Sequence, residues 1–124
     1  MPARSNRRPT LSLQGPLLTV IVAPDPRENM ICALCPELDL VAESPSEAET
    51  LQDLLEAIRD YAEEYLADWE TYSKSPNRAH HWPYLRAVLK TKDDWQLKRL
   101  LDVRYGVLFN EAIWLLDFRP HNRL

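Results

Sequence analysis

Two cysteines, a histidine pair and a scatter of acids are the side chains in this sequence whose types and spacing could do chemistry. Cys32-Ala33-Leu34-Cys35 has the C-x-x-C spacing that brings two thiolates together in redox and zinc sites. The run around it, Met30 to Cys35, is apolar and reads as a strand, where side chains three positions apart leave opposite faces. With no second cysteine pair in the chain, two packing cysteines and no bound metal are expected. His80-His81 could ligate a metal or supply a base, but adjacent residues rarely converge on one point, and no cysteine or carboxylate stands beside them at motif spacing. His80-His81-Trp82 is therefore expected to be a loop docked on the body. Asp25, Glu28, Glu37, Asp39 and Glu43 could gather as the carboxylates of a metal-dependent nuclease. Most of them fall at turn or strand-boundary positions, where acids are common for local reasons.

Other chemistries lack their residues. Gly15 and Gly106 are the only glycines, so no glycine-rich loop can cradle a phosphate. A nucleophile elbow, an H-E-x-x-H helix and an EF-hand loop are likewise missing from the sequence. The expectation is a binding protein without a cofactor, and not an enzyme. A formal net charge of -4 favours a basic partner over a phosphate backbone. That charge is uneven, because residues 1–8 carry Arg4, Arg7 and Arg8 without an acid, while Glu43 to Glu70 is densely acidic. No apolar stretch approaches the roughly 20 residues of a membrane span, and the start lacks a signal peptide's apolar core. With two cysteines too close for a stapling disulfide, the expected location is cytoplasmic.

The elements that must position these groups follow from periodicity. Residues 1–16, rich in Pro, Ser and Arg, are expected to be a flexible basic leader, and 17–124 one domain with a C-terminal extension over 76–124. Leu17 to Ala23 is short, apolar and β-branched, and Pro24-Asp25-Pro26 stops it. Met30 to Cys35 is its natural antiparallel partner, and Leu40 to Glu43 fits a short third strand. From about Glu47 to Tyr72, apolar residues at three- and four-residue spacing predict one amphipathic helix of roughly 39 Å. Ser46 and Glu49 form a capping-box pattern at its start. Beyond Ser75-Pro76-Asn77 the sequence predicts a short helix from Trp82-Pro83, and another capped by Thr91 and Asp94 with Trp95, Leu97, Leu100 and Leu101 on its apolar side. Val107 to Phe118 predicts a strand, or a hairpin turning at Asn110-Glu111. Trp82, Trp95, Phe109, Trp114 and Phe118 exceed what so short a tail needs, which points to core packing or a dimer surface. The fold class is α+β, a small antiparallel sheet with a long helix across it.

Cys35-Pro36-Glu37-Leu38-Asp39-Leu40-Val41-Ala42-Glu43-Ser44-Pro45-Ser46, running into Glu49 and then Glu56-Ala57-Ile58 and Tyr61, resembles the HicB antitoxin-like family. The likeness spans about Leu17 to Tyr72, with Ser44-Pro45-Ser46 where the family commonly has Gly, Asp and Thr. It implies a β-β-β-α-β layer similar to a partial ribonuclease-H-like fold. It also implies a partner, a small mRNA-cleaving HicA-like toxin that the domain binds and blocks. Glu37, Asp39 and Glu43 are the expected toxin-binding residues, since carboxylates can compete with phosphates for a basic RNA-binding surface. Residues 76–124 contain no recognisable operator-binding motif, so DNA binding is not expected, whereas homo-oligomerisation is. The alternatives are an orphan HicB-like oligomeric adaptor without a toxin, and the metal-dependent nuclease.

Overall fold

The computed structural model describes residues 16–109 and 112–115, with 108–109 and 112–115 as backbone. The expected basic leader, apart from Pro16, and Phe118 lie outside the described residues.

The first apolar run forms β1 (Leu18–Asp25), and the next two form β2 (Met30–Cys35) and β3 (Leu40–Ser44). They pair antiparallel, Val22 opposite Ala33 and Ala33 opposite Ala42, so every second residue shares a face. Each hairpin turn places one residue at positive φ, Asn29 at 54° and Asp39 at 56°. These residue types tolerate that region because their short polar side chains compensate locally.

On the other side of β1 the sheet continues with β4 (Leu101–Phe109) in parallel, from Leu18 opposite Leu101 to Val22 opposite Tyr105. The strand β5 (Ala112–Leu115) returns antiparallel, giving the order β3-β2-β1-β4-β5. The expected antiparallel meander is thus the N-terminal part of a mixed sheet. A parallel pair requires a crossover, and the helices occupy it: α1 (Glu47–Ala67), α2 (Trp69–Ser73), a 3₁₀ turn (Ala79–His81), α3 (Trp82–Leu89) and α4 (Asp94–Lys98).

Several sequence-based boundaries shift, the first at β1, which runs past the expected stop through Pro24 to Asp25 and still pairs there with Ile31 and Met30. At the start of α1, Glu49 N–H donates to the Ser46 hydroxyl at 3.2 Å as expected, but the Glu49 carboxylate accepts from that same hydroxyl and not from the Ser46 amide. The helix ends at Ala67, because Asp68 leaves helical geometry at φ -122° and ψ 53° before α2 begins. In one straight helix Tyr61 and Tyr72 would be about 16 Å apart along the axis; the break brings their ring centroids to 6.1 Å. The N-cap of α4 is Asp93, which accepts from Gln96 N–H at 2.9 Å, while the Thr91 hydroxyl donates back to the Val88 carbonyl. Leu100 and Leu101 then leave the helical path, since the Leu100 carbonyl takes the Leu17 and Leu18 amides at 2.9 Å each, and β4 starts well before Val107.

The core lies between the sheet and α1. Leu18, Val20, Val22 and Ala33 meet Leu54, Ile58, Tyr61 and Tyr65, with Leu85, Val88 and Leu97 closing the side. Each large side chain buried there contributes about 1.5–3 kcal/mol relative to exposure. Strand parity puts buried Cys35 on this face and half-buried Cys32 on the other, as their spacing predicts. Burial, reinforced by neighbouring Glu37, pushes the Cys35 thiol up to about 12, so it packs as a neutral group.

Candidate functional site

The three acids expected to meet a partner are not brought together. Pro36 ends β2 before it can pair with the first residues of β1, and Glu37 fills the gap. Its two oxygens accept from the Thr19 amide at 2.9 Å and the Thr19 hydroxyl at 2.7 Å. This half-buried carboxylate therefore closes the end of the sheet. Asp39 sits in the β2–β3 turn with its side chain exposed, beside the 3₁₀ turn. Glu43 lies opposite Cys32, exposed on the sheet face away from α1. Among the described residues, no group of three His, Cys, Asp or Glu side chains is placed to hold a metal ion, so the acids do not assemble the centre a metal-dependent nuclease would need.

A different cluster is assembled at the far end of α1. Because α2 folds back, Tyr72 stacks on Tyr65 at 5.2 Å, and the Tyr65 hydroxyl donates to the Arg78 carbonyl at 3.0 Å, anchoring the loop. Arg78 in turn holds its guanidinium 5.4 Å from the ring centroids of both Tyr61 and Tyr72. The expected docking of the His80-His81-Trp82 loop is present. His81 is only 2% exposed, its Nδ1 lies 2.7 Å from the Tyr61 hydroxyl, and Trp82 stacks on Tyr65.

The surroundings of that histidine bear on its charge and on its tautomer. Burial, then the neighbouring His80, holds its pKa below the ordinary value of 6.5; Arg78 adds to this and Asp39 opposes it. The ring is therefore neutral at pH 7. Among the described residues the Tyr61 hydroxyl has one hydrogen-bond partner, Nδ1, and if it accepted there its own hydrogen would be a second buried group without an acceptor. The hydroxyl hydrogen then goes to Nδ1, which leaves the imidazole proton on Nε2. This Nε2–H is buried, has no hydrogen-bond partner among the described residues, and lies 3.9 Å from Asp39 Oδ2, too far for a bond. An unmet buried donor costs about 1–3 kcal/mol. The His81 residue lines a pocket of about 480 Å³ with Leu38, Asp39, Leu40, Tyr61 and Arg78. The sequence gives little notice of this corner, since Tyr61 reads as one more member of the apolar stripe.

The remaining surface divides by charge. α1 presents seven acids and one base, Arg59, and all seven acids are exposed. Arg59 reaches across to Asp94 at 3.2 Å, and Gln52 and Arg59 hold the Asp94 carboxyl below the usual carboxylate range. Arg86, Lys90 and Arg99 line an open depression between α3 and α4, each on an exposed face. Trp95 is 72% exposed despite its expected place on the apolar side of α4, where Leu97 takes the buried position. The side chains of Phe109 and Trp114, and all of Phe118, lie outside the described residues. Among those described, no helix is long and apolar enough to cross a membrane.

Comparison with known proteins gives this fold a context. A crystal structure described as the antitoxin part of a candidate toxin/antitoxin system from Syntrophomonas wolfei subsp. wolfei is similar to it, with a TM-score of 0.63 and 26% identity. The similarity covers 72% of this chain, which spans 63% of the length of that one. No curated protein matches. A PHD_like family model, described as antitoxin of toxin-antitoxin, RelE / RelB, TA system, matches residues 13–103. Both findings support the antitoxin class implied by the Cys35–Tyr61 stretch, while the family model names RelE/RelB systems where the sequence resemblance names HicB. On a match covering well over half its length, the chain belongs to the PHD_like family of toxin–antitoxin antitoxins.

Proposed function

We propose that the protein acts by binding, not by catalysis, and neutralises a small mRNA-cleaving toxin of the HicA-like kind that the Cys35–Tyr61 resemblance implies. The observation that carries this reading is the antitoxin family match over 13–103. The exposed carboxylates of α1 support it, because a ribonuclease needs a basic RNA-binding surface and an acidic protein can occupy that surface in place of phosphates. Asp39 and Glu43 remain proposed contact residues, whereas the Glu37 carboxylate already serves Thr19. Co-expression with the toxin-like protein encoded beside its gene should rescue arrested growth, and a pull-down should recover the pair. Failure of both with folded protein removes the assignment.

An oligomeric adaptor without a toxin is the second reading. It is favoured by Val103, Tyr105 and Val107, which lie at alternate positions on one face of β4 and are exposed. A solution mass above the monomer, combined with no effect on any neighbouring toxin-like protein, would select it.

A further inference from the structure

We propose that the depression between α3 and α4, with Trp95 on its rim, binds single-stranded nucleic acid, the indole stacking on an unpaired base while Arg86, Lys90 and Arg99 hold the phosphates beside it. The starting observation is the indole. Leu97 takes the buried seat of α4, and Trp95, two residues earlier, is turned outward with 72% of its surface exposed. Exposing so large an apolar ring costs stability, and it gains no stacking contact among the described residues to offset that cost. The Arg99 amide donates to the Trp95 carbonyl at 3.3 Å, so their side chains lie one turn apart on the same side of α4. Arg86 and Lys90 repeat that spacing on α3.

Arg86, Lys90 and Arg99 are all exposed, and none of their side chains makes a hydrogen bond or ion pair among the described residues. The two acids of α4 and its cap are already engaged. Asp93 caps the Gln96 amide, and Asp94 is held by Gln52 and Arg59 of α1. Leu17 lines the same depression, and the sequence leading into it carries Arg4, Arg7 and Arg8 without an acid. The formal net charge of -4 is therefore not the charge a ligand meets here, because exposed charges more than about 10 Å away are largely screened at ordinary ionic strength. Other occupants fit less well. A ribonuclease toxin is basic, so this surface repels the partner proposed for the acids of α1. A neutral protein surface is poorly matched too, since lysine is depleted from interface cores. A duplex would satisfy the cations, but its bases stack on one another and offer the indole no face. A single strand offers both its phosphates and its bases.

Fluorescence anisotropy of end-labelled oligouridylate and oligothymidylate, each of about ten nucleotides, titrated with the full chain tests this against a duplex carrying the same number of phosphates. Single strands should bind saturably and more tightly than the duplex. A preference for oligouridylate identifies RNA as the ligand, and one for oligothymidylate identifies DNA. Trp95→Ala should weaken binding about tenfold, as loss of one base stack predicts, with Tm unchanged, and Trp95→Phe should recover most of it. Lys90→Gln should lower the slope of log affinity against log salt by about 0.7, the share of one phosphate contact on a single strand, and it decides the matter where Trp95→Ala fails to fold. No saturable binding, a tighter duplex, an unchanged salt slope, or undiminished binding by folded Trp95→Ala (charge attraction only) would each overturn the proposal. So would a folded Trp95→Ala chain that binds oligonucleotide as before but no longer recovers the toxin-like protein, which assigns the indole to a protein partner. No toxin is needed for strand binding. Strand binding with failed growth rescue would remove the antitoxin reading alone, and the converse would remove this site alone.

Discussion

The two ends of α1 bury side chains in different ways. Toward its N-terminus, Leu54 and Ile58 meet Val20, Val22 and Ala33, carbon against carbon, and the buried Thr50 hydroxyl is well supplied with acceptors. Thr50 Oγ1 lies 2.8 Å from the Ser46 carbonyl and 3.0 Å from that of Ile31. Toward its C-terminus, Tyr61 and Tyr65 meet Tyr72, His81 and Trp82, rings packed edge-on or stacked, with a guanidinium over two of them and a buried donor that meets no acceptor among the described residues. A region whose buried groups are satisfied can only lose by change, so it serves stability. A region that retains an unmet donor carries a cost that stability does not explain, and there binding is the better account.

The largest expected effect tests the first half of that contrast. Ile58 is wholly buried between α1 and the sheet, so Ile58→Ala should lower unfolding free energy by about 2–5 kcal/mol, the range for large-to-small core changes. Urea denaturation would measure it, and a loss under about 1 kcal/mol would mean that the stripe is not the main source of stability. A smaller effect is expected at the other end. Tyr61→Phe preserves the ring contacts but strips His81 Nδ1 of its hydroxyl, leaving another buried polar atom unmet at about 1–3 kcal/mol. The imidazole ¹⁵N spectrum should change with it. Unaltered stability and an unaltered spectrum would show that the hydroxyl neither satisfies nor orients the ring.

Much of the first region is legible in the sequence, because its signals are local. The β-branched run at Val20-Ile21-Val22, the prolines after it, and the spacing of Leu51, Leu54, Leu55 and Ile58 each select one backbone conformation and one buried face. The second region depends on events that local pattern does not encode. Asp68 breaks the helix without a glycine or proline, at a position that reads as solvated surface. His81 meets Tyr61 across twenty residues only because of that break. Glu37 reads as a candidate for a partner, and only the pairing of strands reveals that Thr19 needs it. The parallel seat of β4 beside β1 was equally hidden, since strand pattern marks which face is buried and not which neighbour is chosen.

The smallest effect is a dependence on pH that belongs to the corner alone. Arg78 and His80 disfavour the imidazolium of His81, and Asp39 opposes them without overcoming burial. The folded protein thus refuses a proton that the unfolded chain accepts at about pH 6.5. Where the unfolded state binds more protons, stability rises with pH. It should therefore decline as pH falls through the interval between 6.5 and the lowered folded value, and this group's contribution should level off on either side. Urea denaturation at steps from about pH 7.5 down to 5, with an NMR titration of the His81 ring, would follow both quantities. Asp39→Asn removes the one neighbour that favours the charged form, so it should lower the ring's pKa further and extend the interval downward. If the ring instead titrates above 6.5, or stability rises as pH falls through that range, His81 is charged in the fold. The corner would then be an ion pair with Asp39, built for stability as the other end of the helix is.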